Sequence, residues 1–166
     1  MANLGNPESL RGSHRGALFC VPTALARLAN CTYSEACESI NREKFGISNG
    51  PRITGVGQEI WGPILAKAGF VQTYKDTASR KYKAVQGWGH TTFRRVRDPS
   101  YKTVTLNHLA NADSVRADGK IRFIRTPGHV LLLRNGLIYD NNKYGVSPIG
   151  LRRYGKCRVE GVWEQP

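Results

Sequence analysis

Cys20 is the residue whose setting offers most chemistry. It stands directly before Val21-Pro22-Thr23-Ala24-Leu25. Pro22 suits the first turn of a helix, where a missing N–H costs nothing. Ala24, Leu25 and Leu28 recur at helical spacing, which predicts a helix over Val21 to Leu28 with Asn30 as its stop. A thiol at the start of such a helix faces unpaired N–H groups and the positive end of the helix dipole. Both favour the thiolate, which is the nucleophilic form. A free cysteine without such company is ordinarily a small buried hydrophobe, so the nucleophile reading needs a base.

The segment Gly128 to Asp140 supplies one. Asn135-Gly136 lies between two apolar runs, His129 to Arg134 and Leu137 to Asp140, which predicts a two-residue hairpin. Arg134 then pairs with Leu137, and counting outward sets Leu131 opposite Asp140 and His129 opposite Asn142. His129 and Asp140 become diagonal neighbours on one face. That is close enough for a carboxylate to orient an imidazole. Asn141 or Asn142 is the alternative orienting group, as a neutral amide. Of the other histidines, His90 falls in an aromatic loop, Gly87-Trp88-Gly89-His90, able to rim a cleft, and His108 falls in a helix. Cys31, Cys37 and Cys157 read as packing residues.

These groups need elements to hold them. Residues 1–19 read as an irregular lead-in, rich in Gly, Asn, Ser and Pro. A second helix is expected over Tyr33 to Glu43, where Thr32 and Glu35 form a capping box. A third is expected over Gly57 to Ala68, ended by Gly69 and interrupted by Pro63. Phe70 to Tyr74 reads as a short strand, and Leu106 to Asn111 as a brief helix capped by Thr105. Ile121 to Arg125, the hairpin and Arg158 to Trp163 complete a β-rich end. Helices first and an antiparallel sheet after make an α+β fold in one domain, 1–166.

Composition narrows the partners. The chain has 166 residues, with 25 Lys plus Arg against 12 Asp plus Glu, a net charge of +13. That imbalance favours polyanions. Residues 75–102 read as a basic, loop-rich insertion with eight cations and two acids. Lys81, Lys83, Arg94, Arg95 and Arg97 are its polyanion-binding candidates. Tyr82, Trp88, Phe93 and Tyr101 interleave with them, a mixture suited to stacking bases and pairing phosphates. The same run also reads as a solvated face that maintains solubility. Four cysteines are too few for a disulfide framework, and no C-x-x-C or H-x-x-x-H pair suggests a metal site. No cofactor is expected. The polar first residues lack a secretory signal, and no apolar run is long enough to span a bilayer. The expected location is therefore cytoplasmic.

Taken together, Cys20-Val21-Pro22-Thr23-Ala24-Leu25-Ala26, then Tyr33-Ser34-Glu35-Ala36, then Gly128 through Asp140 resemble the papain-like cysteine peptidases. The likeness is closest to the compact phage-encoded and bacterial members, and it covers about two thirds of the chain. It implies N-terminal helices packed on a C-terminal antiparallel sheet, and a host-cytoplasm or virion setting if the chain is phage-encoded. It implies acyl transfer on a protein or peptide substrate, with Cys20 as nucleophile, His129 as base and Asp140 as its orienting acid. The family commonly places a Gln six residues before the nucleophile to help bind the oxyanion. Here His14 stands there and is the oxyanion candidate. Three readings follow: a thiol hydrolase, an acyltransferase of transglutaminase type on the same triad, and an inactive binding or virion protein that contacts nucleic acid or another polyanion.

Overall fold

The computed structural model describes residues 19–76, 82–87, 90–95, 104–141, 146–148 and 156–166, with the backbone alone for 82–87, 90–95 and 146–148. Helix α1 runs Cys20–Ala29, and Asn30 ends it in the left-handed conformation, φ 52°. Eight consecutive α1 residues, Val21 to Leu28, are buried. A helix buried all round is a core element rather than a surface one. Helix α2, Tyr33–Phe45, opens with the full capping box. The Thr32 side chain accepts from the Glu35 N–H at 3.2 Å, and Glu35 accepts from the Thr32 N–H at 2.7 Å. Helix α3, Gln58–Lys67, contains Pro63, and Gly69 follows it at φ 81°.

Strands β1 (Val71–Lys75), β4 (Arg122–Thr126), β5 (His129–Arg134), β6 (Leu137–Tyr139), β7 (Val146–Pro148) and β8 (Gly161–Glu164) form one sheet. Its order is β1-β8-β4-β5-β6-β7, and every pairing is antiparallel. Strands β2 (Tyr82–Gly87) and β3 (His90–Arg95) form a separate two-stranded ribbon. Two short helices, α4 (Leu106–Asn111) and α5 (Asp113–Ala117), precede β4. The molecule is thus α+β, as the order of helical and strand patterns predicts.

The sheet separates two apolar clusters. Phe123, Val130, Leu132, Tyr139 and Trp163 pack with α1 to α3. Their neighbours along the strands, Ile124, Leu131, Leu133, Ile138 and Val162, pack with Leu106, Ala110 and Val115 of α4 and α5. Burial on both faces explains the unbroken run Val130 to Leu133. Trp61 of α3 seals the first cluster, with its ring 4.9 Å from Phe123 and 4.8 Å from Trp163. Aromatic pairs at this spacing add specific packing to burial.

The stretch 75–102, read as loop with some ragged strand, contains the β2–β3 ribbon, in which Lys83 pairs with Arg94 and Tyr82 with Arg95. Two features depart from expectation. His90 opens β3, paired with Gly87, instead of lying in a loop. The last strand is shorter than predicted: Arg158 makes only an isolated bridge to Thr105, and β8 begins at Gly161. Lys81 and Arg97 lie outside the described residues.

Candidate active site

The site forms where the start of α1 meets the end of β5. Phe19 is the N-cap of α1, and two side chains fix it. Thr23 Oγ1 donates to its carbonyl at 2.8 Å, and its N–H donates to the Tyr33 hydroxyl at 3.1 Å. Tyr33 begins α2, so the capping box that starts α2 also anchors the residue before the thiol. Buried α1 packs against β5 and carries Cys20 to the strand end where His129 stands.

The hairpin delivers the other two groups. Asn135 and Gly136 take φ of 50° and 78°, the two left-handed positions that match strand twist in a two-residue turn. Arg134 pairs with Leu137, Leu133 with Ile138 and Leu132 with Tyr139. These pairs follow the register read from Asn135-Gly136, and Asp140 comes directly after the end of β6. His129 Nε2 lies 2.7 Å from Asp140 Oδ1. The same ring is hydrogen-bonded to the Cys20 thiol.

The electrostatics follow from these contacts. Burial alone would push the Cys20 thiol up. The hydrogen bond to His129, the Val130 N–H, the nearby imidazole charge and the Val21 N–H outweigh it, and the thiol sits below its ordinary 9.0. His129 is raised from 6.5 to about 9, first by its hydrogen bond to Asp140 and then by that to Cys20, against the opposing effect of burial. A lowered thiol beside a raised imidazole brings the two titrations together, so that thiolate and imidazolium form as a coupled pair.

Asp140 is 5 % exposed and is held by more than His129. The Asn141 N–H donates to Asp140 Oδ1 at 2.7 Å. Arg27, 6 % exposed and two helical turns beyond Cys20 on α1, adds its positive charge. Burial lowers the Arg27 pKa, while the Asp140 carboxylate opposes that shift. Arg27 is the site residue that sequence reasoning missed. The signal was present: an arginine seven residues after the thiol, inside an otherwise apolar helix.

The remaining expectations divide. Asn141 contributes its backbone N–H, and Asp140 itself is the group on the ring. Asn142 and His14 lie outside the described residues. Cys31 and Cys37 pack against the first apolar cluster, and Cys157 accepts from the Leu106 N–H through its carbonyl. His108 is exposed on α4. Among the described residues, no group of three or more His, Cys, Asp or Glu is arranged to hold a metal ion. Nor is any described helix long and apolar enough to cross a membrane. Comparison with protein-family models, curated proteins and solved structures found no match to this chain. The functional reading therefore rests on the site itself.

Proposed function

We propose that the chain is a thiol hydrolase with a papain-like Cys-His-Asp triad, acting on an amide, peptide or isopeptide bond. The observation that carries this reading is Cys20, at a helix start, hydrogen-bonded to a His129 ring whose Nε2 lies 2.7 Å from Asp140. The Cys20 thiolate attacks the carbonyl carbon, and the carbonyl π electrons move onto oxygen. The Cys20 N–H, at the start of α1 and ahead of the helix ladder, is one donor for that oxyanion. His14 is the candidate for the other. The intermediate collapses, the C–N bond breaks, and His129 gives its proton to the departing amine. Water then attacks the thioester while His129 takes a proton from it. The acid leaves and the thiolate returns. Asp140 holds the ring in one tautomer and stabilises the imidazolium.

An amine in place of water at the second step gives an acyltransferase on the same residues. Product analysis with and without added amine separates the two. Activity-based labelling tests the common step: an acyl electrophile should modify Cys20 and no other cysteine. Labelling spread across all four cysteines would overturn the reading.

One observation favours a second reading, a binding module. The ribbon's register pairs Lys83 with Arg94 and Tyr82 with Arg95, and cations gathered on one short element attract polyanions. Salt-dependent affinity for DNA that ignores Cys20→Ala would support this reading.

A further inference from the structure

One polar cleft beside the site has no task in the steps above. Its walls come from β1, β4, the segment before β8 and the start of α3. Arg125 projects into it from β4, anchored by Glu160 at 3.1 Å and by Gln58. Arg158 is anchored by Asp76. Lys75 lines the same space and has no partner among the described residues. The anchoring carboxylates are deeply placed, with 1 % of the Asp76 side chain and 7 % of the Glu160 side chain exposed. Arg125 is 37 % exposed. Buried acids therefore orient the guanidinium groups, and the accessible charge that remains is positive.

Position ties the cleft to the thiol. Arg125 pairs across the sheet with Val130. Val130 supplies the N–H that hydrogen-bonds Cys20. Arg125 is thus one strand away from the residue that helps hold the nucleophile, with about 5 Å between their backbones, while the β1 and β8 side of the cleft lies beyond β4. Size limits the occupant. The cleft holds about 100 Å³, well below the ~300–1,000 Å³ of small-molecule pockets. It fits a single side-chain head group.

We propose that this cleft is a specificity subsite for one acidic side chain of the substrate, whose carboxylate binds Arg125 and Lys75. Three cations and two carboxylates line it, so an incoming carboxylate completes the neutralisation. With Nε held by Glu160 and Nη1 by Gln58, the Arg125 guanidinium is already oriented and offers a carboxylate its Nη2 at little orientational cost. A neutral or cationic side chain would desolvate those donors without replacing their bonds. The subsite role rests on the thiol hydrolase reading, but the carboxylate preference is measurable without turnover.

The test uses the full chain with Cys20→Ala and a set of blocked hexapeptides that differ only in Glu or Gln at one scanned position. Affinity is followed by NMR at low salt. At one position Glu should bind about tenfold more tightly than Gln. Arg125→Gln should remove most of that ratio. That variant leaves Glu160 buried without its partner and risks misfolding. Lys75→Gln, at an exposed position, should also shrink the ratio by severalfold while the fold persists. Lys44→Gln, an equal charge loss on α2, should leave it unchanged. Equal binding of Glu and Gln peptides at every position overturns the subsite. So does a ratio that survives Lys75→Gln and a folded Arg125→Gln, or one that falls equally in Lys44→Gln. Alkylation of Cys20 in the unmutated chain distinguishes the two failures. A fast Cys20 with no Glu preference sinks the subsite alone, and a sluggish Cys20 with the preference intact sinks the hydrolase reading alone.

Discussion

Cys20 and Cys37 are two free thiols of intermediate burial, both packed against the same apolar cluster. Yet their acidities move in opposite directions. Burial raises both. At the start of α1 the thiol meets the His129 ring and two backbone N–H groups, and the net shift is downward. One turn into α2, Cys37 has the Tyr33 hydroxyl as its donor, with the Glu38 carboxylate pushing the other way, and the net shift is upward. The difference teaches that burial does not make a reactive cysteine. A cation and converging N–H donors do, and here the cation and the Val130 N–H come from a strand more than a hundred residues later in the chain.

The largest effect that would break this contrast comes from deleting each sulfur. Cys20→Ala should cut amide hydrolysis by about 10³-fold or more, as loss of a nucleophile does. Cys37→Ala should leave kcat/KM unchanged. Steady-state kinetics on both variants checks this, and comparable losses would remove the distinction.

Asp140→Asn sharpens the electrostatic side. The ring keeps a hydrogen-bonding neighbour but loses the carboxylate that is the main cause of its raised pKa. Activity should fall by about 10–100-fold. The alkaline limb of the pH–rate profile should move down from about 9 toward 6.5. An unmoved limb would mean that Asp140 does not set the protonation of His129.

The same shift makes a stability statement. Because His129 is raised in the folded chain, its stabilising contribution is complete below 6.5 and is lost as pH rises through about 9. The lowered Cys20 works in the opposite sense, present above 9.0 and lost as pH falls. Thermal unfolding of Cys20→Ala isolates the histidine, since Asp140 remains. Its melting temperature should decline from pH 6.5 to 9, and the decline should vanish in Cys20→Ala/Asp140→Asn.

Arg27→Met tests the charge behind Asp140. It should cost about 1–3 kcal/mol of stability by leaving a buried acid with fewer favourable neighbours. Arg27→Lys should recover part of the loss. Smaller still is Gly136→Ala in the turn. Its φ of 78° should make a side chain cost about 1–2 kcal/mol, read by denaturant unfolding. Cys20 reactivity should follow only to the extent that the hairpin register slips.

Much of this geometry was legible because it is local. Asn135-Gly136 sets the turn, the turn sets the register, and the register brings His129 beside Asp140 without any knowledge of the rest. Thr32 and Glu35 mark the start of α2 in the same local way. What was not legible depends on tertiary partners. Arg27 stands out inside an apolar helix, but its place beside Asp140 shows only once α1 is packed on the sheet. The β2–β3 ribbon lacks the apolar alternation that marks a half-buried strand. The cleft around Arg125 is assembled from four segments far apart in sequence, and its charges read singly as solvated surface.

The most direct test of the central claim is the pH dependence of iodoacetamide alkylation, read separately at Cys20 and Cys37 by peptide mass mapping. A paired thiolate predicts Cys20 modified about tenfold or more faster than Cys37 at pH 7, at a rate nearly flat across neutrality. Cys37 should speed up only as pH climbs past 9. If both thiols show the same slow rise toward alkaline pH, the sulfur at the start of α1 is not held as an ion pair with His129, and the hydrolase reading falls with it.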